Sequence, residues 1–190
     1  MNILDVITRA MRRIGIVAGN ELPRPDETAD ALDTLIAIYQ RFITDGAFGE
    51  LSEYIASGPT IASENSRIIR DTEDDTSITL PETIAECGKL RPPRDLSVVV
   101  VTDQLSGQTV QYIYDSTIKN WVELTTLSLT SRAPLGDRDP IGLSCLLATE
   151  LADEYGQQLT EMITRNAARF QMGLTHNWSA AQPIVKGTYF

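Results

Sequence analysis

The chain contains 190 residues, of which 42% are hydrophobic and 22% are charged, and its formal net charge is −10. That length allows a sizeable core in one domain, or in one domain that carries an insertion. So acidic a chain is a poor candidate for holding nucleic acid by its phosphates, because such binding needs a basic face. No apolar run approaches a membrane span, and the polar start does not resemble a signal peptide. We therefore expect a cytosolic setting and no membrane partner.

Residues 1–46 are predicted to form a helical hairpin. Asn2 can cap a first helix, with Asp5 three residues later in a capping-box position, and Gly15 can end that helix. Pro25 suits the first position of a second helix. Both helices carry apolar residues at steps of three and four, which is the spacing of one buried face.

Residues 47–140 differ in character, because prolines interrupt any long helix and Thr, Ser, Val and Ile become frequent. The segments 97–102, 108–114 and 121–125 are separated by polar turns and predict a three-stranded antiparallel meander. We expect this region to be an antiparallel β insertion between two helical blocks.

Residues 141–175 return to helical spacing. Their apolar side chains step by three and four from Leu143 to Leu174, and Gly156 divides the stretch into two helices. Together with the N-terminal hairpin, they predict an α+β fold in which a four-helix bundle closes around the β insertion. Residues 176–190 show no helical period and are predicted to form an extended C-terminal arm.

The predicted arm is rich in apolar residues for an acidic chain. An extended apolar segment of this kind fits a groove on another subunit or on a partner protein. The residues expected to make this contact are Trp178, Pro183, Ile184, Val185, Tyr189 and Phe190.

No arrangement of residues in the sequence points to catalysis. The only histidine, His176, has no partner residue nearby in the sequence, and glycine-rich phosphate loops and metal-binding motifs are missing. Glu150, Asp153 and Glu154 are interpreted as the solvated face of a helix. A pair of carboxylates that meets only in space, as in glycoside hydrolases, stays open. We expect no enzyme activity, no cofactor and no metal ion.

The order of the helical segments resembles a known family. A helix ending in "RRIG" precedes "ELPRPDETADALDTLIAIYQRFITDG", and "LLATELADEYGQQLTEMITRNAARF" follows a β-rich middle. These segments resemble the head-to-tail adaptor proteins of tailed bacteriophages, specifically the tail accessory factor (packaged-DNA stabilisation protein) family of short-tailed phages. The resemblance covers residues 1–46 and 140–174. The long insertion with its valine run at 98–101 departs from it.

The resemblance implies a structural virion protein whose copies form a ring, expected to be dodecameric. It implies that the ring docks under the portal protein, extends the DNA channel and offers its lower face to the tail or nozzle protein. The C-terminal arm would reach up to the portal, and DNA would pass through without sequence-specific binding, which suits an acidic chain. Such a protein is assembled in the host cytoplasm and resides in the neck of the virion.

Two other classes of function stay open at this point. Paired carboxylates would make the chain a cell-wall glycan hydrolase, whose turnover a single carboxylate-to-amide change would abolish. Alternatively, the chain is a small acidic regulatory or DNA-binding domain. DNA binding predicts retardation of duplex DNA that weakens steeply with salt.

Overall fold

The computed structural model of the chain describes residues 1–49, 51–56, 65–70, 80–86, 89–104 and 106–179. Its helices are α1 (Ile3–Arg13), α2 (Pro25–Thr44), α3 (Pro140–Glu154) and α4 (Glu161–Ser179). Its strands are β1 (Ser52–Ala56), β2 (Ser66–Arg70), β3 (Ile84–Glu86), β4 (Lys89–Arg91), β5 (Val98–Asp103), β6 (Thr109–Asp115) and β7 (Asn120–Glu123). A short 3-10 helix, Leu124–Thr126, follows β7. Within these residues, no helix is both long and apolar enough to cross a membrane.

The predicted capping residues begin the helices as expected. The Asn2 side chain accepts a hydrogen bond from the Asp5 N–H at 2.8 Å, and the Asp5 carboxylate accepts one from the Asn2 N–H, so the predicted capping box is confirmed. Helix α2 begins at Pro25, as predicted. Asp139 caps α3 by accepting hydrogen bonds from two N–H groups of its first turn, the closer at 2.8 Å. These caps satisfy N–H groups that a helix leaves open at its start.

Helix α3 lies at the centre of the helical part. Its residues 142–148 are all buried, and so are Leu151 and Ala152. Since seven consecutive helical residues span almost two turns, the first half of α3 is buried around its whole circumference. Helices α1, α2 and α4 each contact α3.

The structure is α+β, but the predicted four-helix bundle is wrong. In such a bundle, every helix turns one apolar stripe toward a shared centre. Here α3 itself occupies the centre, and one face of the sheet, with Val98, Val100 and Ile113, belongs to the same core as the helices. The spacing of three and four was misleading for α3, because the small residues Ser144, Cys145 and Ala148 between the predicted apolar positions are buried as well.

Among the described residues, five strands form a mixed sheet in the order β1-β2-β5-β6-β7, and β3 and β4 form a separate antiparallel pair. The predicted meander is confirmed as β5, β6 and β7, with Val101 opposite Val110 and Tyr114 opposite Trp121. A wholly antiparallel region is wrong, because β1 runs parallel to β2 and β2 parallel to β5. Parallel pairing needs a connection long enough to return the chain to the same end of the sheet. The β3–β4 pair lies in the chain between β2 and β5.

Side chains cover the meander on both of its faces. The face opposite the helices carries a smaller cluster of buried residues, Ile68, Val99 and Val101. Trp121 packs against this cluster, and its indole N–H donates to the Pro81 carbonyl at 2.9 Å. Its ring also meets that of Tyr114 edge to face, with 5.3 Å between the ring centroids. Packing on both faces fixes the position of the β6–β7 hairpin relative to the helices.

Gly142 marks a close approach of α4 to α3. A Cβ atom placed there would lie 2.6 Å from Phe170 Cβ and 2.5 Å from Asp139 Oδ2. Gly142→Ala should therefore lower the free energy of unfolding by about 1–3 kcal/mol, the usual cost of overpacking, as measured by urea denaturation.

Gly173→Ala is the matched control on α4, because a Cβ atom at that position meets no other atom within 4 Å. It should leave the free energy of unfolding unchanged or raise it by up to about 1 kcal/mol, the difference in helix propensity between the two residues. Equal losses of stability for the two variants would contradict the close packing of α4 on α3.

Candidate functional site

The segment of residues 127–139 runs from the sheet to α3 and forms one wall of the candidate site. The backbone N–H of Ile3 donates to the Ser131 carbonyl and that of Leu4 to the Leu129 carbonyl, both at 3.0 Å. The first N–H groups of a helix have no partner inside the helix. This pairing therefore completes the start of α1 and fixes it against the segment.

A buried tyrosine connects α2 to the same segment. The Tyr39 hydroxyl donates to the Pro134 carbonyl at 2.8 Å, and the Tyr39 side chain is fully buried. Burial raises the pKa of Tyr39 above its ordinary value, so the hydroxyl stays protonated and remains a donor. This one segment therefore contacts α1, α2 and, through the Asp139 cap, α3.

Arg132, in the middle of the segment, is surrounded by three aspartates. Its guanidinium donates to both carboxylate oxygens of Asp95, at 3.0 and 3.1 Å, and to Asp115 at 3.0 Å. Its Nε donates to Asp137 at 2.9 Å, and Asp137 also binds the Met1 amino group. We call these five residues the Arg132 network. It joins the segment to the loop before β5 and to the end of β6.

The network holds the Asp95 and Asp137 carboxylates in the charged state. Burial alone would raise the pKa of Asp95, but hydrogen bonds from Arg132 and Ser116 outweigh it, and the pKa is lowered. Hydrogen bonds from the Met1 amino group and from Arg132 lower the pKa of Asp137. A general acid of a glycoside hydrolase needs a raised carboxyl pKa. These carboxylates are therefore suited to holding loops together rather than to donating protons.

An apolar groove of about 300 Å³ lies beside the Arg132 network. Its walls come from the loop before β5, from the β6–β7 hairpin and from the chain that follows β7. We call it the hairpin groove, and it is lined by Leu96, Ile113, Tyr114, Asp115, Thr117, Ile118, Val122, Leu124, Leu127, Thr130, Ser131, Arg132 and Pro134.

The lining decides what the hairpin groove can hold. Asp115 and Arg132, its charged lining residues, are paired with each other, and most of the remaining side chains are aliphatic. Ile118, in the turn of the hairpin, is 60% exposed although it lines the groove. The volume is at the lower end for ligand pockets. The groove is therefore suited to a few apolar side chains of a peptide rather than to a charged small molecule.

One wall of the groove has a constrained backbone. Leu96 has a φ of +67°, in the left-handed region that side chains other than glycine seldom adopt. Its N–H donates to the Tyr114 carbonyl at 2.9 Å, which holds the loop in this conformation against β6. Backbone hydrogen bonding thus holds this wall of the groove in place.

The acidic residues of α3 are placed as a solvated surface. Glu150 forms an ion pair with Arg41 at 2.9 Å, and Asp153 and Glu154 are exposed. Across the described ranges, no group of His, Cys, Asp and Glu side chains is placed to hold a metal ion.

Only some of the residues predicted for the arm lie in the part of the chain that the structure describes. Helix α4 continues through Ser179, so residues 176–179, including Trp178, are helical where the sequence analysis expected an extended arm. The other predicted contact residues, Pro183, Ile184, Val185, Tyr189 and Phe190, lie outside the described residues.

Sequence analysis missed both the Arg132 network and the hairpin groove. Asp95, Asp115 and Asp137 lie in loops or at a strand end, where single aspartates are ordinary turn residues. They are separated from Arg132 by 37, 17 and 5 positions, with no regular spacing. Their convergence depends on how three loops pack, and no local pattern reports that packing.

Arg132→Met removes the charge and keeps most of the side-chain length. Asp95 and Asp115 then lose a cationic partner, and the free energy of unfolding at pH 7 should fall by about 1–3 kcal/mol. Because the folded pKa values of Asp95 and Asp137 are lowered, their contribution is present above the unfolded value of about 3.9 and is lost as pH falls through the folded values. Urea denaturation at several pH values should show the two proteins converging below about pH 4.

Arg165→Met is the control, because its ion pair with Glu161 is solvent-exposed, with 74% and 88% of the two side chains accessible. Its effect should stay within about 0.5 kcal/mol at every pH. If the difference between Arg132→Met and the wild type were constant down to pH 2, the carboxylates would not be the partners that matter.

No protein-family model matches the chain, and no curated protein matches it. The function is therefore inferred from the chain's own residues, from the packing of its helices and from the resemblance of its helical segments.

Proposed function

We propose that this chain is a structural virion protein, the subunit of a head-to-tail adaptor ring in a tailed bacteriophage. The ring docks under the portal protein, extends the DNA channel and provides the attachment site for the tail or nozzle protein. The order and spacing of the helical segments, which resemble those of the adaptor family, support this proposal.

One observation carries the proposal further, namely that the two segments of the resemblance pack together. Residues 1–46 and 140–174 are separated by the 93 residues 47–139. Helices α1 and α2 nevertheless contact α3, and their buried side chains share one core with α3 and α4. The two segments of the resemblance therefore belong to one folded unit, as the subunit of an adaptor ring would need.

The charge of the chain also suits a conduit for DNA. The formal net charge is −10, so the surface of the protein on average repels phosphate. Acidic side chains of α2 and α3 lie together around Tyr155, whose pKa is raised first by partial burial and then by the charges of Asp30 and Glu154. A channel built from such surfaces lets DNA slide, because tight phosphate contacts would retain it.

Ring assembly on the portal tests the proposal directly. Full-length protein mixed with the purified portal protein of its own virus should form rings on the portal that are visible by negative-stain electron microscopy. A chain truncated after Ser179 lacks most of the predicted arm and should form rings on the portal about tenfold less readily or worse, since an extended apolar segment contributes much of an interface with a partner protein or a neighbouring copy.

The truncated chain retains every described helix and strand, so its urea unfolding curve should match that of the full-length protein. This match separates loss of binding from loss of folding. Full-length protein that forms no ring on its portal over a range of salt concentrations would rule out the adaptor function. Unimpaired assembly by the truncated chain would rule out the role of the arm alone.

A further inference from the structure

We infer that the hairpin groove receives residues 180–190 of a neighbouring copy of this chain. The inference rests on the proposed ring and assigns the contact that joins its subunits. It concerns a site that the resemblance does not describe, because the groove belongs to the β insertion and to the segment of residues 127–139.

The groove has the character of a docking surface for an apolar peptide. Ile113, Leu124 and Leu127 form its buried part, while Ile118 is largely exposed beside them. An apolar surface next to polar and charged groups, here the Arg132 network, is typical of a site for another protein.

The sequence of residues 180–190, AAQPIVKGTYF, matches such a surface. Ile184, Val185, Tyr189 and Phe190 are four large apolar side chains within eleven residues. Pro183 favours extended backbone in the residue that precedes it. An extended peptide can place alternate side chains into one groove.

Helix α4 brings this peptide to the end of the molecule that carries the groove. Phe170 of α4 packs closely on Gly142 at the start of α3, and Leu174 shares a cleft with Arg138. Asp137, which precedes Arg138, belongs to the Arg132 network at the edge of the groove. Helix α4 then continues for five more residues, so the peptide begins about 7 Å beyond this cleft.

A neighbouring copy is the recipient that a ring requires. Eleven extended residues span up to about 36–40 Å, which is enough to reach an adjacent subunit. Contacts around a closed ring are heterologous, so that one surface of each copy binds a different surface of the next copy. A projecting peptide and a groove at the same end of each copy form such a pair, and every groove in the ring would be filled.

Lys186 can complement the charge of the Arg132 network. The Arg132 network contains three carboxylates against two cations, Arg132 and the Met1 amino group, and so has an excess of one negative charge. Lys186 is the one charged side chain in residues 180–190. A lysine beside Ile184 and Val185 would lie near this excess charge when the two apolar side chains enter the groove.

Photocrosslinking between labelled copies tests the contact. Tyr189 is replaced by the photoreactive residue p-benzoylphenylalanine, and equal amounts of nitrogen-15-labelled and unlabelled protein are assembled on the portal and irradiated. Mass spectrometry should find peptides that join residue 189 to residues 113–134, with labelled and unlabelled partners mixed. Crosslinks that join only peptides of the same label, or that reach only the portal, would overturn the inference.

Variants of exposed residues measure the strength of the contact. Ile118→Asp places a charge in the groove and should weaken ring assembly roughly tenfold or more. Leu22→Asp is the control, because Leu22 is a similarly exposed apolar residue, 71% accessible, that does not line the groove. Its effect on assembly should stay under about twofold, and both variants should unfold in urea as the wild type does.

The outcomes separate this inference from the proposed function. If Ile118→Asp forms rings normally and residue 189 never crosslinks to the groove, the inference fails and the adaptor function stands. If the unmodified protein forms no ring, the adaptor function fails. In that case the groove contact is tested by crosslinking in concentrated protein without the portal. Crosslinked peptides that mix the two labels would support the contact, and their absence would overturn it.

Discussion

The first half of helix α3 has to be covered on every side, and the arrangement of the other elements follows from that requirement. A helical segment that is buried around its whole circumference is stable only inside a protein. Neither its sequence neighbour α4 nor any one of the other helices can cover it alone. The chain therefore brings α1 and α2 from its beginning to the same helix, and one face of the sheet joins their core. This explains why an insertion of 93 residues between the two helical blocks leaves them packed as one unit.

The path of residues 127–139 also follows from this packing of the helices. It must lead the chain from the end of the sheet to the capped start of α3, across the open N–H groups of α1 and the buried hydroxyl of Tyr39. Its backbone carbonyls accept hydrogen bonds from the N–H groups of α1 and from the Tyr39 hydroxyl. Arg132, near its middle, binds the carboxylates of the surrounding loops. The hairpin groove is the space left between this segment and the β6–β7 hairpin. Its position is therefore determined by the same contacts that complete the helices.

The sequence predicted those parts of the fold that depend on interactions between residues close together in the chain. The capping box of Asn2 and Asp5, the start of α2 at Pro25 and the three-stranded meander all depend on residues within a few positions of one another. The parallel pairing of β2 and β5 depends on where a long connection leads, and the all-round burial of the first half of α3 depends on what packs against it. For the candidate site, the apolar arm residues were visible in the sequence. The groove and the Arg132 network were not, because Asp95 and Asp137 meet Arg132 only after the loops have folded.

The pairing of α1 with residues 129 and 131 has a consequence for synthesis. Helix α1 leaves the ribosome well before the segment of residues 127–139, because the carbonyls that complete its start are made more than a hundred residues later. At roughly 5–20 residues per second, the interval is on the order of ten seconds. An eleven-residue helix is too short to be stable alone in water, so its apolar face stays open to other molecules in the meantime. We therefore expect α1 in stalled chains to remain sensitive to protease until residue 131 has emerged.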